Sequence, residues 1–187
     1  MSEYGMGWKT LNSEVVFDNP WMRVHDDDVI NPRGGNNRYG WVHFKNRAIA
    51  IVPIDAEGHT WLVGQDRYTL GKYSWELPMG GGALDEEPLA AAQRELAEET
   101  GLIAEDWQEL MHVAISNSIT DERGIVFVAR GLTAGDPAPD DTEKLAVRRL
   151  PFSEAVQMVL NGDIDDALTA AALLRVAVET SASIPRT

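Results

Sequence analysis

An α+β fold is what the sequence predicts, with an antiparallel β extension at its N-terminus, and three observations carry that reading. A near-continuous β-branched run, AIAIVPI at 48–54, has the composition of a strand buried on both faces. A glycine-free stretch from Glu86 to Thr100 places Leu89, Ala92, Leu96 and Thr100 at helical spacing, and Gly101 supplies a left-handed stop. Before residue 47, short alternating stretches are divided by the turn signals DNP and NPRGGNN.

In chain order, SEVVF, MRVHDDDVI and RYGWVHF form a small antiparallel region over residues 1–47, and residues 48–187 form the main domain. AIAIVPI opens the core sheet, and HTWLVGQDRY, after the turn DAEG, reads as its hairpin partner. Gly80, Gly81 and Gly82 form a turn ahead of the long helix that lets backbone approach a ligand. On that helix Leu89, Ala92 and Leu96 point inward. ELMHVAIS and GIVFVARGL are further strands, GDPAPDDTEK is a polar loop, and KLAVRRLP closes the strand series. Two helices follow, at 153–160 and about 165–179, and SASIPRT reads as a frayed tail.

The chain has 187 residues, enough for one domain with a modest extension. Sixteen Lys and Arg against thirty Asp and Glu give a formal charge of −14, which repels phosphate backbones and argues against nucleic-acid or anionic membrane partners. A phosphate-bearing substrate therefore needs a metal to enter. The absence of cysteine excludes disulfides, zinc-thiolate sites and thiol nucleophiles. No basic leader with an apolar run and no membrane-length apolar stretch is seen, so a cytoplasmic location is expected. His25, His43, His59 and His112 show no ligand spacing.

The chemistry concentrates on the long helix. Residues three and four apart share a face, so Glu95, Glu98 and Glu99 converge on one side. Such crowding is self-repelling without a cation. Arg94, four residues before Glu98, can neutralise one carboxylate and leave Glu95 and Glu99 to ligate a hard divalent ion, Mg²⁺ or Mn²⁺.

The spacing Gly80, five residues, Glu86, seven residues, then Arg94-Glu95-Leu96-Ala97-Glu98-Glu99-Thr100-Gly101-Leu102 resembles the Nudix box, GX5EX7REUXEEXGU, at every specified position. The resemblance implies a Nudix fold, an α/β/α sandwich with a mixed sheet, and metal-dependent hydrolysis of a nucleoside diphosphate linked to another moiety. It makes Glu95 and Glu99 the main metal ligands, with Glu98 assisting, the Met79 carbonyl beside Gly80 a further ligand, and Arg94 the orienting residue. A bound metal would clamp the pyrophosphate and activate water.

Outside the box, Gln65-Asp66-Arg67-Tyr68, Trp75-Glu76-Leu77-Pro78 and the long N-terminal extension resemble the branch of ADP-ribose pyrophosphatases and nucleoside-diphosphate-sugar hydrolases. That resemblance makes Arg67 a phosphate contact and the extension a homodimerisation region, from which Arg38 could reach into a partner's site. It places an acidic residue in the loop Asp140-Asp141-Thr142-Glu143 as metal ligand or general base, Glu143 first and Asp141 second, and Glu122 at the terminal ribose. Relatives specific for ADP-ribose carry a proline-glycine pair where this chain reads Ser116-Asn117-Ser118. The expected substrate is a small nucleotide, ADP-ribose or a related nucleoside-diphosphate sugar, cleaved to a nucleoside monophosphate and a sugar phosphate. The alternatives are a hydrolase of dinucleoside polyphosphates or other nucleotides, and a non-catalytic nucleotide sensor on the same scaffold.

Overall fold

A computed structural model describes residues 7–135 and 145–181. The chain divides into two compact units, one comprising residues up to Asn46 together with Ala114–Glu122, the other Arg47–Val113 with the chain from Arg123 onward.

In the first unit, β1 (Lys9–Asp18), β2 (Met22–Ile30) and β3 (Asn36–Phe44) form an antiparallel sheet in the order β1-β2-β3. Asn19 builds the first turn by accepting from the Trp21 and Met22 N–H groups at 2.9 and 2.8 Å. Asn31 builds the second in the same way, accepting from Arg33 at 2.9 Å and Gly35 at 3.2 Å. The turn signals thus act through asparagine side chains that replace missing backbone partners. Every residue of β1 is exposed, Leu11, Val15, Val16 and Phe17 included.

The second unit holds two sheets. One runs β7-β4-β9-β8, from β7 (Met79–Ala83), β4 (Asn46–Pro53), β9 (Arg123–Ala134) and β8 (Leu102–Ala114). The other runs β10-β5-β6, from β10 (Ala146–Pro151), β5 (His59–Arg67) and β6 (Lys72–Glu76). β4 pairs parallel with β9, while β5 pairs antiparallel with both neighbours, so the β structure is mixed as expected. Helices α1 (Pro88–Thr100), α2 (Phe152–Asn161) and α3 (Ala167–Ser181) complete the unit. Ala91, Ala92 and Leu96 of α1 share a core with Ile49 and Ile51 of β4 and with Ile125 and Phe127 of β9.

Three local expectations are corrected. β5 is not the hairpin partner of β4: although Asp55 and His59 close a tight turn between them, both edges of β4 are taken by β7 and β9. The glycine run lies in a strand rather than a turn. Gly82 is there because a Cβ would meet Ile49 Cγ1 at 3.0 Å and Ala91 Cβ at 3.1 Å, so the missing side chain lets β7 close on β4 and α1. Leu89 is 39% exposed, and Ala91 takes the inward position. The helix starts at Pro88, a residue suited to the first turn, so Leu89 lies in that first turn at the helix end, while Ala92 and Leu96 are buried as expected. Gly101 does end the helix in the left-handed conformation, with φ of 70° and its N–H on the Ala97 carbonyl.

Leu96 is fully buried in this core. Leu96→Ala should lower unfolding free energy by about 2–5 kcal/mol in urea denaturation, whereas Leu89→Ala should cost less than about 1 kcal/mol.

Candidate active site

Helix α1 carries a buried carboxylate pair. Glu95 and Glu99, one turn apart, are each more than nine-tenths buried, although isolated carboxylates favour water strongly. Their position follows from the strand beside them. The Met79 N–H donates to Glu99 Oε2 at 3.0 Å, and a Cβ placed on Gly80 would fall on the Glu95 carboxyl group. Glycine at position 80 is therefore what allows backbone to stand against a carboxylate here.

Arg94 organises the rest of this face. Its Nη1 donates to Glu95 Oε1 at 2.7 Å and Glu98 Oε2 at 3.0 Å, and its Nη2 to the Gly81 carbonyl at 3.1 Å and Glu86 Oε2 at 3.4 Å. The sequence reading gave Arg94 one carboxylate, Glu98. The structure gives it three, because β7 and the loop after it bring Gly81 and Glu86 within reach. Burial opposes the charged guanidinium, but the hydrogen bonds to Glu95, Glu86 and Glu98 outweigh it and raise its pKa above the ordinary arginine value. Among the described residues, one guanidinium is thus shared by three carboxylates on this face. An all-oxygen donor set of buried carboxylates, packed where any side chain at position 80 would collide, fits a hard divalent cation.

Arg67, at the end of β5, reaches along the sheet to Glu76, at the end of β6. Its Nε donates to Glu76 Oε1 at 2.9 Å, and its Nη2 also bonds this carboxylate. Glu76 is 3% exposed. The Glu76 hydrogen bond outweighs the cost of burial and raises the Arg67 pKa, with Asp166 and Glu99 adding to it at longer range. Of the α1 pair, Glu99 is the member whose charge favours the Arg67 guanidinium. Local spacing gives Glu76 no role, because its bond to Arg67 depends on the β5–β6 register that puts both side chains on one face of the hairpin.

The remaining expected residues are placed elsewhere. Arg38 lies in the first unit and bonds Asp26, with Asp28 at 3.5 Å. Glu122, also in that unit, has its carboxyl pushed up by burial and then by neighbouring Asp121. Glu143 and Asp141 lie outside the described residues. His43, given no role from sequence, binds Asp121 at 2.6 Å through Nδ1. Asp55, Glu57 and His59 also gather ligand atoms within 4.8 Å of one another. That group is already served by Arg149, which donates to Asp55 at 2.6 Å and Glu57 at 2.7 Å.

With this geometry established, comparisons identify the chain's relatives. The NUDIX domain family matches residues 44–173, and the nucleoside diphosphate sugar hydrolase N-terminal domain matches residues 8–42. The chain is 36% identical over 186 residues to the ADP-ribose pyrophosphatase of Mycobacterium tuberculosis (strain ATCC 25618 / H37Rv), covering 96% of this chain and 88% of that protein. It is 32% identical over 167 residues to the methanol dehydrogenase activator of Bacillus methanolicus, with 88% and 90% coverage. It is 30% identical over 169 residues to the ADP compounds hydrolase NudE of Escherichia coli (strain K12), with 89% of each covered. A solved structure of an ADP compounds hydrolase shares the fold at a TM-score of 0.85 and 24% identity, over 98% of this chain and 100% of that one. The box on α1 thus sits in a chain matched along most of its length, and this protein belongs to the Nudix hydrolase family.

Proposed function

We propose that this protein hydrolyses the pyrophosphate bond of ADP-ribose or a related nucleoside-diphosphate sugar, with Mg²⁺ as its metal and Mn²⁺ as a substitute. The products are a nucleoside monophosphate and a sugar phosphate. The observation that carries the reading is the buried Glu95 and Glu99 pair, held by the Met79 amide and Arg94 against the Gly80 backbone. Relatives named as ADP-ribose pyrophosphatase and ADP compounds hydrolase support the substrate class.

In this reading Glu95 and Glu99 hold the ion, Glu98 assists, and the Met79 carbonyl is a further oxygen donor. When bound, a divalent ion there supplies charge neutralisation to the diphosphate and makes a nearby water more acidic. Arg94 fixes the Glu95 and Glu98 carboxylates so that little reorganisation is left to the reaction. Arg67 keeps Nη1 for a phosphate oxygen while Glu76 occupies its other edge. Glu143, with Asp141 as the second choice, accepts the proton as water adds to phosphorus and the bridging P–O bond breaks.

The N-terminal region, residues 1–47, is proposed to form a homodimer, leaving 48–187 as the hydrolase domain. The exposed apolar residues of β1, with Trp8 and Trp21 beside it, support that assignment. Among the described residues no helix is long and apolar enough to cross a membrane, and a cytoplasmic location is proposed.

Incubation with Mg²⁺ and a panel of ADP-ribose, GDP-mannose, UDP-glucose and diadenosine polyphosphates, followed by chromatography, tests the substrate class. Cleavage of a sugar nucleotide to monophosphate and sugar phosphate is expected; tight binding of one compound with turnover of none would make the protein a sensor. Glu99→Gln should lower kcat by roughly 10²–10³-fold with an unchanged circular dichroism spectrum, and a near-normal rate would remove its metal role. Light scattering after size exclusion should give twice the chain mass, falling toward the monomer when Val16 and Phe17 are both changed to Asp.

A further inference from the structure

A cleft of about 430 Å³ opens beside Arg67, lined by Arg67, Thr69, Leu70, Glu76, Asp165 and Asp166, with Ala167 at its edge. Nothing in the box accounts for it, and it unites segments nearly a hundred residues apart. Its walls are fixed. Lys72 bonds Asp165 across the rim, Asp166 Oδ2 accepts from the Thr169 N–H at 2.7 Å, and the Leu77 N–H donates to Thr169 Oγ1 at 3.1 Å.

The cleft adjoins the carboxylate pair by chain geometry. Glu76 lines the cleft, and three residues later the Met79 amide holds Glu99. Three residues of extended chain span at most roughly 10 Å, about the reach of a diphosphate with a group attached. Arg67 faces the cleft while feeling the charge of both Asp166 and Glu99.

The lining chemistry restricts what can enter. Within the cleft, Nε and Nη2 of Arg67 are engaged by Glu76, so among the described residues Nη1 is the edge left for a ligand phosphate. Beyond that edge stand the carboxylates of Asp165, paired with Lys72 but with lone pairs to spare, and Asp166; with Glu76 they outnumber the cations Arg67 and Lys72, so the cleft accepts hydrogen bonds and disfavours anions. A group that donates several hydrogen bonds and bears no charge of its own satisfies both demands. Resting on the reading under Proposed function, we infer that this cleft takes the sugar beyond the diphosphate, with Asp165 accepting from its hydroxyls and excluding substrates that carry another phosphate there.

Asp165 is the residue to change, because it is exposed and caps no helix, whereas Asp166 does. Kinetics are compared on the preferred sugar nucleotide and on the methyl ester of the same nucleoside diphosphate, which lacks the sugar. Asp165→Ala should raise KM for the sugar nucleotide roughly tenfold, with kcat and the KM for the methyl ester within about twofold. Asp165→Lys should improve kcat/KM for a sugar nucleotide carrying a phosphate on its sugar by roughly tenfold. Lys72→Met, which breaks the same rim contact from the other side, should leave the KM ratio of the two substrates unchanged. Equal KM shifts on both substrates, no shift, or a Lys72→Met variant that reproduces the Asp165→Ala split would overturn the inference and return the sugar to Glu122 in the other unit. Failure of the wild type to cleave any sugar nucleotide would be a different result, removing the functional reading and this inference together.

Discussion

The structure turns on the contact between a glycine backbone and a buried carboxylate. At Gly80 the strand β7 comes so close to α1 that no side chain could stand between them, and the Glu95 carboxyl occupies the space. The same strand supplies the amide that fixes Glu99 and the Gly81 carbonyl that anchors Arg94. Like-charged carboxylates drawn together out of water oppose folding, and an arginine shared among three of them offsets only part of that cost. The apolar half of the helix contributes as well. Ala91, Ala92 and Leu96 are fully buried against β4 and β9, so the core holds the acidic face in a place it would not choose alone.

This division of labour explains the alanine and glycine content of the segment. Ala91 is small because β7 runs close overhead, and Gly82 is bare because Ile49 and Ala91 fill its space. Distance between strand and helix is thus set by what is missing from the side chains. With that distance short, a backbone amide reaches a carboxylate at 3.0 Å, and an arginine on the first turns of the helix reaches a strand carbonyl.

The box and its helix were legible because everything that defines them is local. Glu95, Glu98 and Glu99 share a face by helical period alone, and Gly101 stops the helix by its own conformational freedom. The β-branched run of β4 was legible for the same reason. What was not legible depended on partners distant in sequence. Gly80–Gly82 reads as a turn because glycine gives no strand signal, and only pairing with β4, some thirty residues earlier, makes it a strand. The partner of β5 was misread because adjacency in sequence favours a hairpin, while β4 was already paired on both edges. The Arg67–Glu76 bond depends on hairpin register, and the cleft beside it on a helix start ninety residues later. Arg94 was assigned a single carboxylate because helical spacing shows Glu98 but not the strand that delivers Gly81 and the loop that delivers Glu86.

The central claim is that Glu95 and Glu99 are gathered to hold a divalent ion. Titration of the protein with Mn²⁺, followed by electron paramagnetic resonance of the free ion, tests this without reliance on turnover. The account predicts saturable binding by the wild type that weakens at least roughly tenfold when Glu95 and Glu99 are both changed to Gln, with the circular dichroism spectrum retained. Undiminished Mn²⁺ binding by that folded variant, or no binding by the wild type even with a nucleotide diphosphate present, would contradict it.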